Sequence, residues 1–375
     1  MKSNSPRSHG LDTLRALAIF AVIAFHVSSY HGVTVPDAVR PAARMGWIGV
    51  DLFFVLSGYL IGSQLLRPYL DGKRPSVWGF YRNRLFRILP AYSVVLALYF
   101  AVPAWSEDSL APLWKYCTFT FNLFVASNFR GFSHVWSLCV EEHFYLVLPL
   151  IVLGMMRRPS MRRTVALLAG LVLLGMAIRS FVLLHELRPL ARTGEEFITQ
   201  YMGHIYYPTY SHFDGLLAGV ALTLVKMFRP VWWGATARRG HALLSGGLFL
   251  VGAAMMLCKD RYLSVSGATA LGDVIGFPLL SVGLALLVAS ALSENGWLRL
   301  RVPGAKLVAT LAYSLYLTHK ALIHLVDLWF PWAERAGWLP WMAVYATCCL
   351  VAASLLYLCV ERPFLMLRER GAERS

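Results

Sequence analysis

Apolar runs of about twenty residues, the length a helix needs to cross the hydrocarbon core of a bilayer, recur from one end of this chain to the other. No other feature limits its fold as strongly. Of 375 residues, 57% are hydrophobic and 15% charged, and the mean hydropathy is +0.56, too apolar for a soluble domain of this length. About ten spans are expected, near 12–30, 46–66, 87–103, 136–156, 165–185, 207–228, 240–258, 272–292, 306–327 and 339–361. The fold class is therefore all-α, a polytopic transmembrane helix bundle. Residues 113–126 are apolar but short and broken by Lys115 and Asn122, and read as interfacial or re-entrant. With no linker-like tract and no internal repeat, residues 1–375 read as a single membrane domain with no appended soluble domain.

A net charge of +15 points either to nucleic acid or to membrane topology, and the placement of the basic residues decides. Alternate loops hold Lys73, Arg74, Arg157, Arg158, Arg162, Arg163, Arg238, Arg239, Arg299 and Arg301. The other set is sparser, with Arg40, Arg44, Lys115 and Arg130 diluted by Glu107, Asp108, Glu195 and Glu196. The positive-inside rule makes the first set cytoplasmic, with both termini on that side, and the expected location is a bacterial inner membrane. Nucleic acid is excluded as a partner. The first apolar stretch carries Arg15 and His26 and lacks a small-residue cleavage site, so it is read as the first span and not as a signal peptide. The six cysteines show neither disulfide nor metal-like spacing. His26 and His31, like His319 and His324, are five apart, which is not same-face ligand spacing on a helix, and no metal is expected.

An ionisable side chain in mid-span costs at least about 2.5 kcal/mol, so each one requires an explanation. Arg15 and His26 are eleven residues apart, almost three turns, and leave one helix face about 16 Å apart along its axis. A groove on that face could admit an anionic donor at Arg15 and carry its reactive end to His26, an imidazole suited to general-base work near neutrality. The alternative is that Arg15 snorkels to the surface and His26 bonds to a neighbouring helix. Asp51 lies at the depth of His26, where a carboxylate could hold the imidazole in its useful tautomer. The surrounding Gly46, Gly49, Gly58 and Gly62 allow close helix approach. Arg84 and Arg87, three apart before the third span, offer a fork for phosphate oxygens or serve as plain topology charge. Glu141 and Glu142, followed by His143, fall one turn into the fourth span, in an acceptor-side or structural position. Asp214 beside His212, His319 with Lys320, and Glu361 with Arg362 complete the set, the last pair also readable as a boundary cap.

Walker, serine-hydrolase and zincin motifs are all absent. The ordered set of Arg15 to His26, GVDLFFVLSGYLI at 49–61, Arg84 and Arg87 before ILPAY, WSLCVEEHFYL at 136–146, FDGLLAG at 213–219, YSLYLTH at 313–319 and ERPF at 361–364 resembles the membrane-bound acyltransferase 3 family. That resemblance covers nearly the whole chain. It implies ten core helices, a cytoplasmic acyl-CoA donor such as acetyl-CoA, and transfer to a hydroxyl of a carbohydrate, glycolipid or small-molecule acceptor reached from the other face. It further implies His26 as base with Arg15 beside it, Asp51 and Glu142 in the catalytic group, and Arg84, Arg87, Arg15, Tyr59 and Glu361 around the donor. His143 stands where the family commonly has Gln, and His212 where Arg is frequent. A secondary transporter or flippase is the alternative, and it predicts repeated half-motifs that the sequence lacks.

Overall fold

The computed structural model describes residues 8–30, 35–106, 109–123, 131–187, 195–258 and 271–373, and among them there is no strand. The longer helices are α1 (His9–Ser29), α2 (Ile48–Leu70), α3 (Val77–Ala101), α4 (Trp136–Arg157), α5 (Met161–Val182) and α6 (Asp214–Phe228). They continue as α7 (Pro230–Ala237), α8 (Gly240–Leu257), α9 (Phe277–Ala291), α10 (Ala305–Trp329), α11 (Trp338–Leu356) and α12 (Arg362–Glu373). Eight helices among the described residues are long and apolar enough to cross a membrane, or nine if α6 and α7, bent by 107° where Pro230 follows Arg229, count as one. Exposed Leu173, Leu174 and Phe181 on α5, Leu248 and Phe249 on α8, and Leu350 and Leu355 on α11 give the bundle an apolar periphery suited to lipid.

The helix α10, at 25 residues, is long enough to span but carries Lys306, His319, Lys320 and Asp327. It is also central, and every residue from Ser314 to Ile323 is buried. A helix buried all round belongs to the core, where its polar groups can find partners. The helix α1 packs between α2 and α10 and also touches α9. Glycine sets the closest crossings: a Cβ on Gly58 would sit 2.1 Å from the Leu216 carbonyl oxygen, and one on Gly219 2.2 Å from that of Val55. The α2–α6 crossing is thus backbone against backbone, and Gly49 plays the same part against Ala18 on α1.

Three boundaries differ from the sequence expectation. The helix α3 begins ten residues early, at Val77 where 87 was expected, because the Ser76 hydroxyl caps it by accepting from the Gly79 N–H at 3.0 Å. Arg84 and Arg87 therefore lie inside a helix, on neighbouring turns. The helix α6 starts at Asp214 because 202–212 is a wide turn and a tight turn separated by Pro208, which has no N–H to donate. Beyond α11 the chain stays helical through a wide turn at Tyr357–Glu361 into α12. Of the stretch 113–126, residues Leu113–Cys117 form a short helix with Tyr116 buried, and 124–126 lie outside the described residues. His31, Glu107, Asp108 and Arg130 lie outside them too.

Candidate active site

Two cavities meet in the middle of the bundle. The first, of about 190 Å³, is walled by Arg15 from α1, Ser57 and Gln64 from α2, Arg84 and Arg87 from α3, Glu141 and Tyr145 from α4, and Thr310, Tyr313 and Tyr316 from α10. Early capping of α3 places Arg84 and Arg87 on neighbouring turns of one helix, and Arg15 lines the same cavity from α1. Arg84 donates to Gln64 Oε1 at 3.1 Å and lies over the Tyr145 ring at 5.8 Å, while its buried Nε has no hydrogen-bond partner. Glu141 accepts from Ser57 Oγ at 3.0 Å and from the Tyr145 hydroxyl. Arg15 pairs with Asp12 at 3.6 Å, so three guanidinium groups stand against Glu141 and that one further carboxylate; the walls remain cationic, and forked N–H groups suit phosphate oxygens.

The second cavity, of about 50 Å³, lies toward the other end of α1 and is walled by His26, Trp47, Val50, Ser133, His134, Trp136, Tyr206, Tyr207 and Tyr316, among others. Its hydrogen bonds determine the tautomer of His26. His319 Nδ1 lies 2.8 Å from the Tyr316 carbonyl oxygen and 3.2 Å from that of Leu315. A carbonyl only accepts, so this nitrogen carries the proton and, in a neutral ring, Nε2 of His319 offers a lone pair. His26 Nδ1 lies 3.1 Å from that Nε2 and 3.0 Å from the Val22 carbonyl oxygen, so it donates to both. The remaining nitrogen of His26, Nε2, is the basic one, on a ring that lines the cavity.

A third imidazole, His134, stands with its ring centroid 5.0 Å from that of His319 and 6.2 Å from that of His26. It is buried, and neither ring nitrogen makes a well-formed hydrogen bond. Lys320, one residue beyond His319, donates to Ser133 Oγ at 2.8 Å and lies over the Tyr30 ring at 5.0 Å. No group of three or more His, Cys, Asp or Glu among the described residues has the arrangement of a metal site.

The structure gathers Arg15, Arg84 and Arg87 around one cavity and puts His26 in the next, but it gives other expected site residues different partners. Asp51 does not reach His26; its Oδ1 lies 3.0 Å from His212 Nε2, and His212 Nδ1 donates to the Tyr206 carbonyl oxygen at 2.8 Å. The group that orients His26 is His319. Of the acid pair, Glu141 faces the basic cavity, whereas Glu142, one residue and about 100° further round the helix, lines neither cavity. Tyr59 points away from the cavity onto α6, where its hydroxyl accepts from Lys226 Nζ at 2.8 Å. Glu361 is buried and accepts from Ser314 Oγ at 2.9 Å without lining the basic cavity.

The rest of the polar set clamps the broken stretch 202–212 that walls the second cavity. Arg179, a residue the sequence reading passes over, donates to Asp214 Oδ2 at 2.7 Å and to the Ser211 carbonyl oxygen at 2.6 Å. His143 Nδ1 and Asn122 Nδ2 each lie 2.7 Å from Thr209 Oγ1. His134 also escapes the sequence reading, because it lies just before α4, where a histidine carries no penalty that would draw attention. Arg179 was detectable: it is an ionisable residue in the fifth span, the same signal that marks Asp214.

Residues 8–359 match the family model for acyltransferase 3, described as an acyltransferase domain. The chain belongs to the acyltransferase 3 family. The O-acetyltransferase OatA of Staphylococcus aureus (strain NCTC 8325 / PS 47) is 24% identical over 404 residues, an alignment covering 99% of this chain and 59% of that protein. A Staphylococcus aureus (strain COL) protein, named provisionally as an O-acetyltransferase, is 25% identical over 371 residues, 95% of this chain and 57% of its own. The chain thus spans less than two thirds of the length of these curated relatives. No solved structure matches it.

Proposed function

We propose that this acyltransferase-family protein is a membrane O-acyltransferase that moves an acyl group, acetyl in the first instance, from acyl-CoA to a hydroxyl of a cell-envelope carbohydrate or related acceptor. The observation that carries the reading is the meeting of a cavity walled by three arginines with a second cavity holding an imidazole whose Nε2 is left unprotonated. A CoA donor presents phosphates at one end and a thioester at the other, which is the polarity of that pair. Arg15, Arg84 and Arg87 hold the anionic portion. The acceptor hydroxyl enters the second cavity and gives its proton to His26 Nε2. Its oxygen attacks the thioester carbonyl carbon, the C–S bond breaks, and the CoA sulfur leaves, taking the proton back from His26. Val22 and His319 stabilise the imidazolium that forms between these steps, because both accept from its Nδ1–H.

The positive-inside distribution supports a topology in which the basic cavity opens to the cytoplasm of a bacterial inner membrane and the histidine cavity to the opposite face. Aromatic walls from Trp47, Trp136, Tyr206 and Tyr207 around the second cavity are suited to the apolar faces of a sugar ring. The reading is tested by incubating the purified protein with labelled acetyl-CoA and extracted envelope glycans and locating the label by mass spectrometry. CoA-dependent labelling that His26→Ala abolishes is the expected result. Absence of transfer to any acceptor, or near-normal transfer by a correctly inserted His26→Ala protein, overturns it.

A further inference from the structure

Among the described residues, Val50 and Tyr316 alone line both cavities. Val50 is small, so the bulk of the wall between Arg15 and His26 is the Tyr316 ring, 6% exposed. Two hydrogen bonds pin the phenol in place. Its hydroxyl donates to the His134 carbonyl oxygen at 2.6 Å, and with that proton committed it accepts from Ser137 Oγ, also at 2.6 Å. Ser137 lines the basic cavity and His134 the histidine cavity, so the pinned hydroxyl ties the turn ahead of α4 to α10 at the point where the compartments adjoin. The ring packs edge-on against Phe53 on one side, with centroids 6.5 Å apart, and against His134 on the other, at 5.4 Å. The hydrogen bond that His319 makes to Tyr316 goes to its backbone carbonyl and not to its side chain, although the two rings also touch, with centroids 5.8 Å apart.

Attack on the thioester needs the carbonyl carbon within about 3–3.5 Å of the acceptor oxygen that His26 deprotonates. Arg15 and His26 are about 16 Å apart along α1, and the Tyr316 side chain stands in the way. We propose that Tyr316 is the gate between the donor and acceptor compartments. Closed, as in this structure, it holds the acyl end of a bound donor in the basic cavity, away from water at His26; displaced once the acceptor fills the histidine cavity, it lets the acyl group reach the acceptor oxygen at His26. This rests on the acyl-CoA reading given above and adds to it the residue that couples CoA release to acyl transfer. Loss of the gate opens a defined side reaction: water gives its proton to His26 Nε2, its oxygen bonds to the acyl carbon, the C–S bond breaks, and CoA leaves as the thiol after taking that proton.

The experiment compares wild type, Tyr316→Phe and Tyr316→Ala, measuring acetyl-CoA hydrolysis without acceptor and CoA released per acetyl transferred when acceptor is present. Wild type should hydrolyse slowly and release one CoA per transfer. Tyr316→Ala should hydrolyse about tenfold faster or more, with CoA release exceeding transfer, and Tyr316→Phe, which keeps the ring but loses both hydrogen bonds, should rise by less. A Tyr316→Ala protein that transfers with wild-type stoichiometry and hydrolyses no faster overturns the gate while leaving the acyl-CoA reading intact. One that binds acetyl-CoA but neither transfers nor hydrolyses overturns it too, and assigns the hydroxyl to the chemistry. If the alanine variant does not accumulate, the phenylalanine variant decides, and hydrolysis at the wild-type rate refutes the gate. Wild-type protein inert toward acetyl-CoA removes the donor reading and the gate with it.

Discussion

His319→Ala removes one of the two acceptors of the His26 Nδ1–H and leaves the other, the Val22 carbonyl, in place. The bond matters most when His26 holds the acceptor's proton, because it is then a hydrogen bond to a charged ring, worth about 1.5–3 kcal/mol. At 1.36 kcal/mol per decade of rate, kcat should fall about 10- to 100-fold. Donor affinity should not change, since His319 does not line the basic cavity. His319→Gln puts an amide oxygen in reach of the same N–H and should recover a large part of the loss, provided His26 is the residue it serves.

A cycle with His26→Ala separates positioning from a merely structural effect. If His319 acts only through His26, the double variant should transfer no more slowly than His26→Ala alone, because a missing base cannot be mis-set. The assay is acetyl transfer by detergent-purified protein at saturating acetyl-CoA, with melting temperatures run in parallel because His319 is fully buried. Multiplicative losses in the double variant, or a kcat of His319→Ala equal to wild type, would refute the tautomer argument. A lowered melting temperature alone would not imitate the expected result, because it predicts no rescue by glutamine at constant stability.

Arg84→Gln and Arg87→Gln should each raise the acetyl-CoA Kd about tenfold, in keeping with loss of a charge-assisted hydrogen bond, and calorimetric titration reads this directly; Arg84→Lys should recover only part, because the fork is lost. Arg179→Leu leaves the Asp214 carboxylate buried and unpaired, a loss of about 3–5 kcal/mol that should appear as a lower melting temperature, and adding Asp214→Leu should restore most of it. Asp51→Asn should lower the melting temperature while leaving kcat of the folded protein at the wild-type value, because Asp51 holds His212 and not His26; a kcat loss comparable to that of His26→Ala would contradict the placement.

Helix positions and the cationic pair on α3 were legible because both are local properties: hydropathy accumulates along a window, and Arg84 and Arg87 are neighbours in sequence. What each polar residue touches was not. Asp51 and His212 are 161 positions apart, and no periodicity in either segment brings them together. His26 and His319 are 293 apart, so the carboxylate at matching depth looked the natural orienter when the true one was an imidazole on a distant helix. The choice between Glu141 and Glu142 turns on helical phase relative to α2, which one chain segment cannot specify. Tyr59 illustrates the same limit: it shares a motif with Ser57, which lines the basic cavity, but projects on the opposite side of α2.

The helix α10 shows why a site of this kind needs a span that resembles a membrane helix least. Thr310, Tyr313, Tyr316 and His319 recur every three residues, so they form a row that winds about 60° per step around α10 and rises about 14 Å at 1.5 Å per residue. The first three line the basic cavity, Tyr316 lines both, and His319 reaches His26. On the facing helix α1, Arg15 and His26 form a stripe of nearly the same length running the same way, because the N-terminal ends of both helices border the basic cavity. Each polar row would cost several kcal/mol against lipid, so both helices belong in the protein interior, where His26 meets His319 and the other members line the cavities. The polarity that gives the interior its chemistry therefore also draws α1 and α10 inward.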